Sequence, residues 1–136
     1  MPSPAPFTAH HYVAPAQLVD RDRHAAYARA VGIGDPAGLD HPLACFAAVY
    51  LLWPLVALLF SDPRLDLDLA RLLHAEQEFW FERAIQFGES IQPRGRVERL
   101  ETRRGMTFIG FACSGRDAGG QLVAHSRSLF LIREAA

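Results

Sequence analysis

The stretch GIGDPAGLDHP, Gly32 to Pro42, gathers two carboxylates and an imidazole in one glycine- and proline-rich loop: Asp35, Asp40 and His41. An imidazole titrates near neutral pH and can both take and return a proton. A carboxylate can hold a water or a hydroxyl in place. An apolar run follows at Leu43, and the free N–H groups at the start of a buried helix can hold a developing oxyanion. His41, Asp35 and Asp40 are therefore the candidate catalytic residues. A plainer use of the same residues stays open, with Asp40 capping the helix and His41 solvated. A second polar pair, His74 and Gln77, lies in HAEQEFWFER. Gln77 interrupts an apolar face, which calls for a buried hydrogen-bond partner or a polar pocket wall. These two are the candidate substrate-binding residues.

No metal site is expected. His10, His11 and His24 stand apart from other ligands, and His125 has no evident partner. Cys45 and Cys113 are distant in sequence and read as small buried hydrophobes. Arg94, Arg96, Arg99, Arg103 and Arg104 cluster on one predicted hairpin, with Glu98 and Glu101 among them. They could steer an acidic carrier protein or the phosphates of coenzyme A, or simply form a solvated strand face.

The elements that must position these groups follow from periodicity. Phe7 to Val13 reads as a short strand, and Ala16 to Val31 as a helix. Leu43 to Phe60 carries no charge and reads as a buried helix, kinked before Pro54 and covered on all sides. Leu65 to Leu73 adds a short helical turn. His74 to Arg83 alternates as a strand, with Ala75, Phe79 and Phe81 on one face and the glutamates on the other. Ser90–Thr102, Gly105–Gly115 and Gln121–Arg133 are three more strands, the last two joined by the turn DAGG at 117–120. Successive antiparallel strands have one apolar face to hide, and one apolar helix is available to hide it. The fold class is α+β, an antiparallel sheet curled around a long central helix.

The 136 residues suit a single domain, and half of them are apolar. The expectation is a flexible leader at 1–6 and one domain over 7–136. Fourteen basic residues, all arginine, against fifteen acidic ones argue against a dedicated nucleic-acid binder. The apolar run just reaches spanning length, but Pro54 interrupts it and Asp62 and Asp66 follow without a basic flank. No membrane partner and a cytoplasmic location are expected.

With these elements in order, the chain resembles the hot-dog fold in its MaoC-like branch. His74 to Phe79 is similar to that family's histidine-small-x-glutamine-x-aromatic strand. Arg83, Ile85 and Gly88-Glu89 follow as in the family, and Leu122 to Ser128 matches its last hairpin. Tyr27 to Pro36 resembles the helix and Gly-Asp turn that open its active-site segment. The resemblance implies dehydration of a 3-hydroxyacyl thioester, or the reverse hydration, in a fatty-acid- or polyketide-like route. It implies no cofactor beyond the coenzyme A or phosphopantetheine of an acyl carrier protein that carries the substrate. It also implies a homodimer, or a heterodimer with a second hot-dog subunit. The family's Gly-Asp-x-Asn-Pro-x-His motif is broken here: the Asn is absent, Asp40 stands at the histidine position, and His41 comes one step later. The loop that overhangs the family's pocket looks deleted. Two alternatives therefore stand beside the dehydratase: a non-catalytic acyl-binding subunit of a heterodimer, and a hot-dog thioesterase.

Overall fold

The computed structural model describes residues 11–134. The expected leader, His10 and the first part of the Phe7 strand lie outside them. Among the described residues six strands form one antiparallel sheet. β1 (His11–Val13) and β2 (Gln17–Leu18) both pair with β4 (Ser90–Arg103). β5 (Met106–Arg116) and β6 (Leu122–Arg133) continue the meander, and β3 (Leu72–Phe81) closes it against β6, giving the order β1-β4-β5-β6-β3. Arg103 pairs with Met106, so the β4–β5 turn has only Arg104 and Gly105 at its tip. Both have positive φ, 56° and 74°, the mirror-image turn that matches strand twist. At the β5–β6 turn Asp117 accepts the Gly119 and Gln121 N–H groups, as the DAGG composition anticipates.

The apolar run lies in the concavity of this sheet, but not as one regular helix. Ala44–Phe46 is a 3₁₀ turn, Ala48–Leu52 is π-helical, and α2 (Trp53–Phe60) is α-helical. Pro54 explains the break: it donates no N–H and its ring crowds the preceding turn, so Trp53 bonds five residues back, to the Ala48 carbonyl. Leu51, Leu55 and Leu59, spaced by one turn, are fully buried. The cover is one-sided, however: Trp53 and Leu58 are 48% and 42% exposed, contrary to the expectation of burial all round. No helix among the described residues is long and apolar enough to cross a membrane.

The helix expected over 16–31 is shorter. α1 spans Arg21–Ala30, capped by Asp20, whose side chain accepts the Arg23 N–H at 3.0 Å. Gln17–Leu18 is drawn into β2, and Val19 exchanges backbone hydrogen bonds of 2.8 and 2.9 Å with Glu89 and Gly88. Pairing with a distant strand thus overrides local helix propensity. β3 also departs from simple alternation. A bulge at Ala75 leaves that residue exposed, off the Phe79 and Phe81 face, and turns His74 to the same side as Gln77. At the other edge, Tyr12 donates to Asp62 at 2.6 Å and ties β1 to the end of α2. Hydrogen bonds from Arg64 above all hold the Asp62 carboxyl well below the usual range.

Candidate functional site

A cleft of about 380 Å³ opens beside the start of the central helix. One wall is the entrance segment His41 to Ala44, Tyr50 reaches in from the π-helical turn, and Phe81 with Arg83 to Ile85 close the other side. The entrance is held by a buried histidine. His24, on α1, is 1% exposed and its Nε2 accepts the Leu43 N–H at 2.9 Å. Its ring packs edge-on against Phe46 and Phe87, each 4.9 Å away. Burial first, and the Arg21 charge second, lower its pKa below the ordinary value, so the neutral acceptor form is favoured. In the sequence His24 stands isolated from other ligands; its place on the buried stripe of a helix is the signal that could have found it.

The far wall is braced by ions. Arg83 donates to both Glu89 oxygens, at 2.6 and 2.8 Å, and to Asp117 at 3.1 Å. This guanidinium holds the Glu89 carboxyl below its usual range, and backbone N–H groups do the same, most strongly, for Asp117. Arg83 therefore ties the cleft to the β5–β6 turn. Burial pushes the Tyr50 phenol above its ordinary value.

Of the candidate catalytic residues, His41 lines this cleft and is exposed. Asp35 and Asp40 are also exposed, and among the described residues no hydrogen bond or ion pair joins either to His41. The Asp35 carboxylate lies over its own turn, 3.3 Å from where a Gly38 Cβ would sit. Asp40 does not cap the central helix, whose first turn begins after Leu43 with no side-chain cap. His74 and Gln77 are brought together. Their Nε2 and Oε1 atoms are 2.9 Å apart. The Gln77 amide also accepts from Ser128 at 2.5 Å and donates to Ser126 at 2.8 Å, both serines being buried. Neither residue lines the cleft; Gln77 is saturated by protein groups.

Elsewhere, the arginines of β4 face the outside of the sheet, where Arg99 pairs with Glu101, and Glu98 takes Arg127 at 2.8 Å and Arg96 at 3.9 Å. His125 stacks on Trp80 at 5.1 Å and pairs with Glu82 at 2.9 Å. Cys113 is buried, but Cys45 is exposed, contrary to the expectation for both. No group of three or more His, Cys, Asp or Glu among the described residues could hold a metal.

Comparison with known proteins places this geometry. The family model "FAS1-like, dehydratase domain region" matches residues 7–126. A UPF0336 protein of Saccharopolyspora erythraea is 30% identical over 134 residues, covering 90% of this chain and 85% of that one. A UPF0336 protein of Clavibacter michiganensis is 28% identical over 128 residues, 85% of each. Among solved structures, the C-terminally truncated HadBC complex of Mycobacterium tuberculosis, a 3R-hydroxyacyl-ACP dehydratase, superposes with a TM-score of 0.71 at 18% identity, over 92% of this chain and 96% of that one. The ChsH1–ChsH2 complex of the same organism gives 0.68 at 15% identity, over 98% and 95%. HtdX, also from that organism, gives 0.75 at 19% identity over 91% of this chain but only 51% of its own. The chain therefore belongs to the FAS1-like dehydratase-region family and has the MaoC-like hot-dog fold.

Proposed function

We propose that this chain is the acyl-binding subunit of a two-subunit hydro-lyase that interconverts a 3-hydroxyacyl thioester with its enoyl thioester and water. In that reaction a base takes the proton at C2, an acid protonates the departing C3 hydroxyl, and hydrogen-bond donors hold the thioester oxygen as it becomes enolate-like. The observation that carries the subunit reading is the cleft's incomplete set of groups. Among the described residues His41 lines it without a carboxylate bonded to its ring, and Asp35 and Asp40 make no bond to it. The Leu43 N–H, at the mouth of the helix, is spent on His24. The apolar wall of Leu43, Phe81 and Ile85 suits an acyl chain, which coenzyme A or an acyl carrier protein would deliver. The histidine and carboxylate would come from a second hot-dog subunit. That the solved relatives include the HadBC and ChsH1–ChsH2 complexes supports such a partner.

The test is turnover of a 3-hydroxyacyl thioester, followed as water loss by mass spectrometry. The chain alone should be inactive, and active once co-purified with a hot-dog subunit whose Asp/His motif is intact. His41→Ala in that complex should change turnover by no more than a few-fold. A second reading, a self-sufficient dehydratase with His41 as base, is favoured by the position of His41 in the cleft. It requires the chain alone to turn over and His41→Ala to cost about 10²-fold or more. Under it Asp35→Asn also lowers the rate, whereas full activity in that variant points to Asp40. Hydrolysis of a saturated acyl thioester would instead identify a thioesterase.

A further inference from the structure

β3 is an open edge. β6 pairs one side of its ten residues, and no strand among the described residues pairs the other. An unpaired edge of this length invites another strand. The exposed flank of the central helix adjoins it: the Trp53 and His74 rings are 6.2 Å apart. Backbone donors and acceptors therefore lie next to exposed apolar surface, the combination that a second sheet would cover.

The side chains on that edge carry charge of one sign. Beyond the bulge the outer face of β3 bears Glu76, Glu78 and Trp80, with Glu82 just past its end, opposite Leu129, Arg127 and His125 of β6. Glu82 pairs with His125. Glu76 and Glu78 have no ion pair among the described residues, because Arg127, across the ladder from Glu78, gives its Nε–H to Glu98. The chain's own basic row, Arg94 to Arg103, is on β4, with β5 and β6 between it and this edge.

We infer that the acidic face of β3 selects the partner: a hot-dog chain with basic side chains on the outer face of its own edge strand, in preference to a second copy of this chain. In an antiparallel pairing of β3 with itself, same-face residues oppose one another. Every such register centred from Gln77 to Trp80 puts a glutamate opposite a glutamate: Glu76 on Glu78, Glu78 on Glu78, Glu76 on Glu82, or Glu78 on Glu82. Directly opposed like charges destabilise a strand pair, and opposite charges stabilise it. Two basic side chains, Arg99 and Arg127, line the same shallow groove as Glu76 and Glu78, but each is already paired, with Glu101 and Glu98 respectively. This inference rests on the two-subunit reading above and names what that partner must carry.

The experiment mixes the chain with its own charge-reversed form, Glu76→Arg/Glu78→Arg, and follows association by sedimentation at micromolar concentration. Both residues are exposed, so the fold should survive, which circular dichroism checks. Wild type and variant should each self-associate weakly, and their equimolar mixture should form a 1:1 dimer roughly tenfold tighter or more, lost at high salt. Glu76→Gln/Glu78→Gln should self-associate more tightly than wild type. A tight wild-type homodimer indifferent to salt and to these substitutions overturns the inference, as does a mixture no tighter than its components. Neither result touches the water-loss assay, so failure of the charge rule and failure of the functional reading are separately visible.

Discussion

His24 does for the central helix what a capping side chain usually does: it satisfies a backbone N–H that the helix geometry leaves open. Only the neutral ring can accept that bond. Burial depresses its folded-state pKa below an unfolded value of about 6.5, so its contribution is full above that pH. It should be lost progressively as pH falls from there through the depressed folded value, because the unfolded chain then binds the extra proton. His24→Leu should cost about 1–3 kcal/mol at neutral pH by stranding the Leu43 N–H, and should flatten the dependence of melting temperature on pH between neutral and mildly acidic buffer. A slope unchanged in the variant would assign the acid sensitivity elsewhere. The cysteines offer a second check. Burial pushes the Cys113 thiol up to about 12, while Cys45 is exposed. A maleimide should label Cys45 alone in the folded protein, as mass spectrometry of the digest would read. That Gln77 needs a partner was legible from its place in an apolar pattern; that His74 is beside it was not, since the bulge at Ala75 has no sequence mark.

Among the elements, the helix lies close to the sheet because two glycines give it room. A Cβ on Gly95 would come 3.1 Å from the Leu55 side chain and 2.7 Å from Phe111; one on Gly115 would come 3.1 Å from Leu51 and 2.7 Å from Ile91. Successive turns of the helix thus seat a leucine over each glycine. Gly115→Ala should cost about 1–3 kcal/mol through overpacking, measured as a lower urea midpoint with an unchanged slope. Leu52 is fully buried, whereas Val49 is only partly so. Leu52→Asp should therefore cost more than about 4 kcal/mol or abolish folding, and Val49→Asp should cost less. A Leu52→Asp protein with the wild-type melting temperature would place the helix elsewhere. The existence and order of the four long strands and the apolar helix could be read from period and turn residues. The 3₁₀ and π-helical turns could not, because they are set by where Pro54 falls relative to the packing of Tyr50 to Leu52 against the sheet.

Across the molecule, the open β3 edge adjoins the exposed Trp53 of the central helix, whose ring lies 6.2 Å from that of His74, and the proposed partner should protect both. In hydrogen exchange, the β3 amides facing away from β6 should exchange fast in the isolated chain and slow markedly in complex with a second hot-dog subunit. Unchanged exchange there, with protection elsewhere, would move the interface off this edge. The layout itself is dictated by the linear pattern: an uncharged apolar run must be buried, alternating strands must share an apolar face, and the two requirements answer one another. His41 and the broken acidic–histidine spacing are equally plain in the sequence, since both are properties of neighbours along the chain. Long-range packing alone settles that His24 closes over Leu43 and that His74 turns beside Gln77. Each of those depends on residues far apart in sequence or on a one-residue bulge. Side-chain direction in a strand has period two, so a single unpaired residue reverses every face beyond it.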